Sequence, residues 1–260
     1  MRILITNDDG ITAPGLAVLS EIALQIAGPQ GEVWTVAPHF EQSGVGHCIS
    51  YTKPVLVHDY GPNMYSVEGT PADCVLAGLH DLLPKQPDLI LSGVNKGNNS
   101  AENTLYSGTI GAAIEAALAG IPAIALSQFY GPKNINLKDT FEASRIHGAA
   151  AIKACLKAGF KRAQGYALFY NINFPPVPAA KVLGIKAVSQ GYRGDGAFNV
   201  QATIAPNGRK FLFVKGQSQH TPTQAGTDAE ANLTGFVSIT PMRADLTARD
   251  QLANLEKVLD

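Results

Sequence analysis

The chain has 260 residues and a mass of 27.4 kDa, enough for one large α/β domain or two small ones. Hydrophobic residues make up 45% of the chain and charged residues 16%, which predicts a sizeable core and disfavours widespread disorder. A formal net charge of −1 argues against a general binder of nucleic-acid duplexes or anionic membranes. Any phosphate-bearing ligand must therefore be held by local groups.

Apolar runs in the chain predict neither export nor a membrane span. The first run stops at Asp8, which is too early for a signal peptide. The longest run, residues 111–126, is interrupted by Glu115 and Pro122 and does not suit a transmembrane helix. The three cysteines are widely spaced and form no Cys-x-x-Cys motif, as expected for reduced thiols. We therefore expect a cytoplasmic protein without a membrane partner.

Residues 1–175 alternate short apolar strands with helices. The first predicted helix ends at Gly28, a capping box of Thr70 and Asp73 starts the second, and the third begins near Ser107. The predicted strands are residues 2–6, 33–37, 88–92 and 123–127. This alternation indicates βαβ units, so the predicted fold class is α/β with a mostly parallel sheet.

Beyond residue 175 the pattern changes to extended segments without a long helix between them. Residues 217–234 are polar and contain Gly, Pro and Thr, so we expect them to be mobile, and residues 247–259 form a predicted terminal helix. The predicted extended segments are residues 181–189, 197–205, 210–215 and 236–240. We therefore divide the chain into a core, residues 1–175, and a β-rich extension with a terminal helix, residues 176–260.

Two adjacent acidic residues, Asp8 and Asp9, directly follow the first strand in the sequence Asn7-Asp8-Asp9-Gly10. Ligands of open parallel sheets bind beyond the carboxyl ends of the strands. Two carboxylates on a turn that Gly10 bends can face one hard cation. The alternative is an ordinary Asp-Gly turn with one aspartate capping the next helix. Because capping accounts for only one aspartate, we favour a metal site.

Two further polar loops follow the second and third strands. The first contains Ser43 between Gln42 and Gly44, and the second is a Gly/Asn-rich segment, residues 93–103, that contains Asn95. Asn95 can offer a carbonyl oxygen to a cation or an amide to a phosphate. Each loop by itself is typical of a solvated connection. However, loops that follow successive strands converge on one edge of a parallel sheet, which favours a shared site.

The start of the third helix is a candidate anion site. Ser107, Gly108 and Thr109 combine free backbone N–H groups at the positive end of the helix dipole with two hydroxyl donors. Ser107 is also the expected N-cap, which does not exclude a phosphate at the same turn. Lys96 and Arg193 are further candidate phosphate contacts, although solvated charges are the commoner role of such residues.

Several well-known catalytic motifs are absent from the sequence. It contains no P-loop, no His-Glu-x-x-His zinc motif and no Gly-x-Ser-x-Gly nucleophile elbow. Residues 44–49 lack the third glycine of the dinucleotide fingerprint, which disfavours a Rossmann dehydrogenase. Asp8 and Asp9 are adjacent, without the Asp-x-Asp spacing of phosphatases of the haloacid-dehalogenase type.

Seven short motifs, which include these loops, occur in an informative order. They are Asn7-Asp8-Asp9-Gly10, Gln42-Ser43-Gly44, residues 69–75, Ser92-Gly93-Val94-Asn95, Tyr106-Ser107-Gly108-Thr109, residues 171–175 and residues 237–241. In order and spacing they resemble the survival protein SurE family over nearly the whole chain. The resemblance implies a three-layer Rossmann-like core and a metal-dependent nucleotidase. Its implied substrates are nucleoside 5′- and 3′-monophosphates and, in some members, polyphosphate.

The resemblance also assigns roles to the matching positions. One divalent cation per subunit, Mg²⁺ or Mn²⁺, would be held by four side chains: Asp8, Asp9, Ser43 and Asn95. Three of these would be catalytic: Asp8, Asp9 and Asn95. The implied phosphate contacts are Ser107, Gly108 and Thr109. The cation would neutralise charge on the phosphoryl group and lower the pKa of water, which supplies the positive charge that this nearly neutral chain lacks.

The expected partners are a nucleoside monophosphate and further copies of the chain, without a nucleic-acid duplex. The resemblance implies a homodimer or homotetramer whose subunits exchange the C-terminal hairpin and helix. The sequence departs from many family members at His39-Phe40, where an acidic and a basic residue are common, and at Ala101, where glycine is common. Both departures concern the rim of the nucleotide pocket and leave the implied metal ligands unchanged.

Two other functions share part of this sequence pattern with a phosphomonoesterase. A regulatory protein that binds nucleotide and metal without turnover would share the same loops, and multiple-turnover phosphate release distinguishes it. A Rossmann dehydrogenase would bind NAD(P), which the incomplete glycine fingerprint disfavours. We therefore rank the metal-dependent phosphomonoesterase first.

Overall fold

A computed structural model describes residues 1–194 and 198–259. Its helices are α1 (Pro14–Ala27), α2 (Pro71–Ala77), α3 (Gly108–Leu118), α4 (Glu142–Ala158), α5 (Asp228–Leu233) and α6 (Arg249–Leu259). Its strands are β1 (Arg2–Thr6), β2 (Glu32–Pro38), β3 (Val57–Asp59), β4 (Met64–Val67), β5 (Leu89–Lys96), β6 (Ala123–Gln128), β7 (Phe169–Phe174), β8 (Ile185–Ala187), β9 (Phe198–Ile204), β10 (Lys210–Gly216) and β11 (Val237–Met242).

The central sheet is mostly parallel and is covered by helices on both faces. Its strand order is β3-β4-β2-β1-β5-β6-β7-β11-β8, and antiparallel pairing occurs only at β3–β4 and β7–β11 among the described residues. Helices α1 and α4 pack together on one face, and α2 and α3 pack together on the other. Strands β9 and β10 form a separate antiparallel hairpin. The predicted α/β fold class, with its C-terminal hairpin and terminal helix, is confirmed.

The helix boundaries follow from local sequence signals. Helix α1 stops where Gly28 adopts a φ of 78°, which glycine permits without a Cβ penalty. The predicted capping box begins α2, because Thr70 Oγ1 accepts the Asp73 N–H at 3.2 Å and Asp73 Oδ2 accepts the Thr70 N–H at 2.8 Å. No described helix is long and apolar enough to cross a bilayer.

Strand β5 extends into residues 93–103, which the sequence predicts to be a loop. Asn95 pairs with Ser127 after an irregularity in the register. Gly93 permits this course because its φ is +132° and a Cβ there would lie 2.2 Å from the Leu126 carbonyl oxygen. The backbone therefore places Asn95 at the end of a strand, which is a more rigid position than the predicted loop.

The prediction that residues 217–234 are mobile is wrong for residues 228–233. These residues form the buried helix α5, and the Asp228 carboxylate accepts the backbone N–H groups of Ala101 and Gly191. Only residues 185–187 of the predicted extended segment 181–189 form a strand. Ala197, the first residue of another predicted extended segment, lies outside the described residues. Four elements that sequence reasoning missed are β3, β4, α4 and β7.

Candidate active site

A cavity of about 170 Å³ lies beyond the carboxyl ends of β1 and β5, beside the start of α3. Four predicted site residues from four different segments of the chain line it: Asp8, Ser43, Asn95 and Ser107. Their sequence separation reaches 99 residues, and parallel strands bring them together because their carboxyl ends share one edge of the sheet. The cavity is therefore the candidate active site.

A rigid turn holds the two aspartates at the tip of β1. The buried Asn7 side chain donates to the Gly10 carbonyl at 2.9 Å and accepts the Gly10 N–H at 3.2 Å. Gly10 has a φ of +102°, which favours glycine at this bend. The Asp8 carbonyl accepts the Gln42 N–H at 2.7 Å, which connects this turn to the loop that carries Ser43.

Asp8 is the most deeply buried acidic group of the cavity, with 4% of its surface exposed. Its pKa is raised to about 7, mainly by burial and also by the nearby charge of Asp9, while a hydrogen bond from Thr109 partly opposes the shift. That bond joins Thr109 Oγ1 to Asp8 Oδ1 at 2.6 Å. No positively charged group is among the causes that lower the pKa of Asp8. A cation bound beside Asp8 would therefore favour its ionised carboxylate.

Asp9 does not line the cavity but is fixed next to it. Its Oδ2 accepts the Lys96 N–H at 3.0 Å, so it connects the turn after β1 to the end of β5. Burial raises the pKa of Asp9, the charge of Glu41 adds to this, and the Lys96 N–H opposes it. Two neighbouring carboxylates with raised pKa values are the electrostatic pattern of a functional site.

The remaining predicted ligands supply neutral oxygen atoms. Ser43 is exposed, and its hydroxyl donates to Glu41 Oε1 at 2.7 Å. Asn95 Nδ2 donates to the Gly97 carbonyl at 2.9 Å, which fixes the amide group and presents the carboxamide oxygen to a ligand. Two carboxylates, a hydroxyl and a carboxamide oxygen form an all-oxygen donor set, which suits Mg²⁺ or Mn²⁺ better than a softer metal.

The three predicted phosphate contacts have different environments. Ser107 lines the cavity and caps α3 by accepting the Ile110 N–H at 3.1 Å. The Thr109 hydroxyl is engaged by Asp8, and the Thr109 N–H also stabilises the Asp8 anion. Gly108 packs against Asp8, because a Cβ on it would lie 3.0 Å from Asp8 Cβ. The N-terminus of α3 therefore points its dipole at Asp8 and the cavity.

A buried amide network supports Thr109 from behind, and sequence reasoning missed it. Asn99 Nδ2 donates to Ser127 Oγ at 2.9 Å and to Thr109 Oγ1 at 3.3 Å. The Asn99 N–H donates to Asn173 Oδ1 at 2.7 Å, and Asn171 Nδ2 donates to the Asn99 carbonyl at 2.8 Å. The available signal was the pair of asparagines two residues apart on a buried strand, because such residues share one face of the sheet.

Three further polar residues near the predicted site differ in what they can bind. Asn98 lines the cavity and is 2% exposed, and its Oδ1 has no hydrogen-bond partner among the described residues. It can therefore accept a hydrogen bond from a ligand. Lys96 also lines the cavity and is exposed. Arg193 is paired with Glu102 at 3.2 Å and donates to Ser100, so its charge is already used within the fold.

Comparison with known proteins gives a consistent result over the full chain. Residues 3–196 match the family described as "Survival protein SurE". The chain is 64% identical to "5'-nucleotidase SurE" of Jannaschia sp. (strain CCS1) and 61% identical to that of Cereibacter sphaeroides (strain ATCC 17029 / ATH 2.4.9), with complete coverage of both chains. A solved structure, "Crystal Structure of Sure Protein from Aquifex aeolicus", covers both chains completely with a TM-score of 0.81 and 36% identity.

Proposed function

The chain belongs to the survival protein SurE family, and from that premise we propose that the cavity beside Asp8 is its nucleotidase active site. Relatives that are 58–64% identical over 98–100% of this chain are named 5′-nucleotidase SurE, so the chain is a phosphomonoesterase that acts on nucleotides. A non-catalytic nucleotide-binding role is not favoured. The observation that carries the site assignment is the convergence of Asp8, Ser43, Asn95 and Ser107 on one cavity.

The oxygen donors in and beside this cavity fit a hard divalent cation. Asp8, Ser43 and Asn95 line the cavity, Asp9 lies next to it, and all four offer oxygen. Burial raises the pKa values of Asp8 and Asp9, and the charge of Lys96 offsets this only in part at Asp9, so a cation bound here would favour both ionised carboxylates. When bound, Mg²⁺ or Mn²⁺ would supply Lewis acidity and neutralise phosphoryl charge. We propose one such ion per subunit.

The remaining groups of the cavity bind and orient the phosphoryl group. Ser107 and the N-terminus of α3 offer a hydroxyl and a positive dipole end to its oxygens. Thr109 holds Asp8 in one orientation through its hydroxyl, and Asn99 holds Thr109. Such preorganised polar groups are the main protein contribution to phosphoryl transfer.

A phosphate-release panel tests this function. We expect multiple-turnover release from nucleoside 5′-monophosphates with Mg²⁺ or Mn²⁺, complete loss with excess chelator, and recovery when the metal is restored, because the metal supplies the Lewis acidity that the side chains of the cavity lack. Nucleoside 3′-monophosphates and polyphosphate are the further substrates proposed from the family resemblance. Equal release with and without chelator would contradict the metal-dependent mechanism.

Gly108→Ala tests whether the packing of α3 against Asp8 matters for the reaction. The added Cβ would lie 3.0 Å from Asp8 Cβ and 3.1 Å from Pro71 Cγ, so Asp8 must shift by a few tenths of an ångström. We expect metal-dependent phosphate release to fall by about 10- to 100-fold. Thermal unfolding should show a retained fold, because alanine is favourable in a helix.

Gly216→Ala is the matched control for this substitution. Gly216 pairs with Phe198, which lines the same cavity, but its Cβ would come no closer than 3.8 Å to the Phe198 ring, so no neighbouring atom has to shift. We expect wild-type phosphate release from this variant. Equal activity of the two alanine variants would show that the contact between Gly108 and Asp8 is not needed.

We also propose that residues 176–260 join subunits into a homodimer or homotetramer. Every residue of β9 and β10 is exposed, and an isolated two-stranded hairpin is marginal in water. Helix α6 has no buried residue although it carries an apolar face, formed by Leu252, Leu255, Val258 and Leu259. A second copy of the chain would cover both surfaces.

The three free thiols fit the reducing cytoplasm proposed for the protein.

Light scattering after size exclusion tests the association. We expect a mass of two or four chains of 27.4 kDa for the wild type, and a lower mass for Leu255→Glu combined with Val258→Glu, because the charges cannot be buried. Lys257→Glu, on the opposite side of α6, is the control and should keep the wild-type mass. A monomeric wild type would overturn the proposal.

A further inference from the structure

A second cluster of metal-binding side chains lies at the far edge of the sheet. It consists of His39, His58 and Glu68, and one ligand atom of each residue lies within 4.8 Å of the other two. None of the three lines the cavity beside Asp8. The proposed nucleotidase mechanism uses none of the three side chains.

The backbone register brings these residues to one face of the sheet. His58 on β3 pairs with Ser66 on β4, and Glu68 lies two residues beyond Ser66 and therefore on the same face. His39 directly follows β2, and its N–H donates to the Val67 carbonyl at 2.8 Å. Three neighbouring strands thus fix the three side chains, without a flexible connection between them.

The three side chains lie close together, with His58 Nε2 3.0 Å from Glu68 Oε1. The two imidazole rings are stacked with centroids 4.3 Å apart, so one ring has to rotate about its side-chain bonds before both can direct a nitrogen at one ion. His39 Nδ1 lies 2.9 Å from Ser66 Oγ and 3.4 Å from the Tyr60 hydroxyl, which orients the ring and leaves Nε2 for a ligand. The His58 and Glu68 side chains are 34% and 40% exposed, so an ion can enter from solvent.

We propose that His39, His58 and Glu68 bind a second divalent cation of the Zn²⁺ type. Imidazole nitrogens with one carboxylate suit Zn²⁺, whereas Mg²⁺ prefers oxygen ligands only. Tetrahedral bonds of about 2 Å separate ligand atoms by about 3.3 Å. The pair now 3.0 Å apart therefore has to open by a few tenths of an ångström, and a pair near the 4.8 Å limit of the cluster has to close by about 1.5 Å through side-chain rotation. Three protein ligands leave a fourth position for water.

The bound ion would restrict the motion of residues 39–43, the segment that leads from β2 into the active site. His39 begins the segment after β2, and Ser43 lies four residues further along it. A bond from the ion to His39 ties the start of this segment to β3 and β4, two strands at the edge of the sheet. An ion that binds the folded protein more tightly than the unfolded chain also raises the unfolding temperature.

Metal titrations of untagged full-length protein test the proposal in a variant that lacks the oxygen site, Asp8→Asn with Asp9→Asn. Competition with a chromogenic chelator should reveal one equivalent of Zn²⁺ per chain. Co²⁺ in place of Zn²⁺ should give the strong visible absorption of tetrahedral coordination with nitrogen ligands, which an octahedral all-oxygen site does not give. Zn²⁺ should also raise the thermal unfolding temperature. If no equivalent of Zn²⁺ binds, the proposal is overturned.

Single substitutions in that background assign the ligands. His58→Ala and Glu68→Gln should each weaken Zn²⁺ binding at least about tenfold and remove the tetrahedral Co²⁺ absorption. His80→Ala, at an exposed histidine on the helical turn after α2, is the matched control and should bind Zn²⁺ as before. Equal Zn²⁺ affinity of His58→Ala and His80→Ala would overturn the assignment.

Discussion

Asp8→Asn is expected to lower metal-dependent phosphate release from nucleoside 5′-monophosphates by at least about 10³-fold. The substitution keeps the size of the side chain but removes the charge of the most buried candidate ligand. A factor of 10³ corresponds to about 4 kcal/mol of lost transition-state stabilisation, in the range expected when a catalytic cation is displaced. Steady-state phosphate release at saturating Mg²⁺ or Mn²⁺ measures the effect.

Two further variants make this result interpretable. Asp9→Asn should also abolish release, because Asp9 is the second anionic ligand and is fixed by the Lys96 N–H. Asp81→Asn changes an exposed aspartate on the helical turn after α2 and should keep wild-type activity. Full activity of either Asp8→Asn or Asp9→Asn would remove that residue from the active site.

The same Asp8→Asn substitution is expected to stabilise the metal-free protein at neutral pH. Burial raises the Asp8 pKa from 3.8 to about 7, so the folded state binds this proton more tightly than the unfolded state. The resulting contribution to stability is fully present below about pH 4 and is lost as the pH rises to about 7. Above about pH 7 the free energy of unfolding of the wild type is therefore lower by on the order of 4 kcal/mol, because Asp8 is ionised there. Asparagine does not ionise, so the Asp8→Asn variant avoids this loss.

Denaturant unfolding in chelator, compared between pH 4.5 and 8, measures this effect. The difference in unfolding free energy between Asp8→Asn and wild type should grow with pH and level off near pH 7. Added Mg²⁺ or Mn²⁺ should stabilise the wild type and leave Asp8→Asn unchanged, because binding only the folded state raises its stability. A difference that does not vary with pH would show that Asp8 titrates normally and lacks the predicted environment.

Much of the candidate site could be predicted because its ligands occupy the ends of parallel strands. Asp8 and Asn95 follow strongly apolar strands, and the rule that ligands bind beyond the carboxyl ends of such strands brought them together without knowledge of the strand order. Ser107 was recognisable as an N-cap at the start of a helix. These signals are local, and the fold combines them through a topology that alternating strands and helices already indicate.

Other features depend on tertiary contacts that a local pattern does not encode. The hydroxyl of Thr109 serves Asp8, which follows from the packing of α3 against the turn after β1. The same holds for Asn99, whose partners lie 28 and 74 residues away along the chain. Strands β3 and β4 have three and four residues, too few for a periodic pattern to be recognised. The cluster of His39, His58 and Glu68 likewise depends on the register of these short strands.

Helix α5 was predicted incorrectly because its polar composition is typical of a loop, whereas the structure buries it. Residues 228–233 are rich in Asp, Glu and Asn, which predicted a mobile segment. The structure instead buries the Asp228 carboxylate and satisfies it with backbone N–H groups from Ala101, Gly191 and Ala229. Buried polar groups are stable when hydrogen-bonded in this way, and two of these partners, Ala101 and Gly191, lie 127 and 37 residues away in the sequence.

Anomalous diffraction from crystals soaked in Mn²⁺ tests the central claim most directly. The predicted result is a manganese peak in the cavity at the tips of β1 and β5, with oxygens of four side chains about 2.0–2.6 Å from it: Asp8, Asp9, Ser43 and Asn95. The peak should disappear from crystals of Asp8→Asn. An empty cavity at saturating Mn²⁺, or a manganese ion bound elsewhere while these four groups remain apart, would contradict the proposed active site.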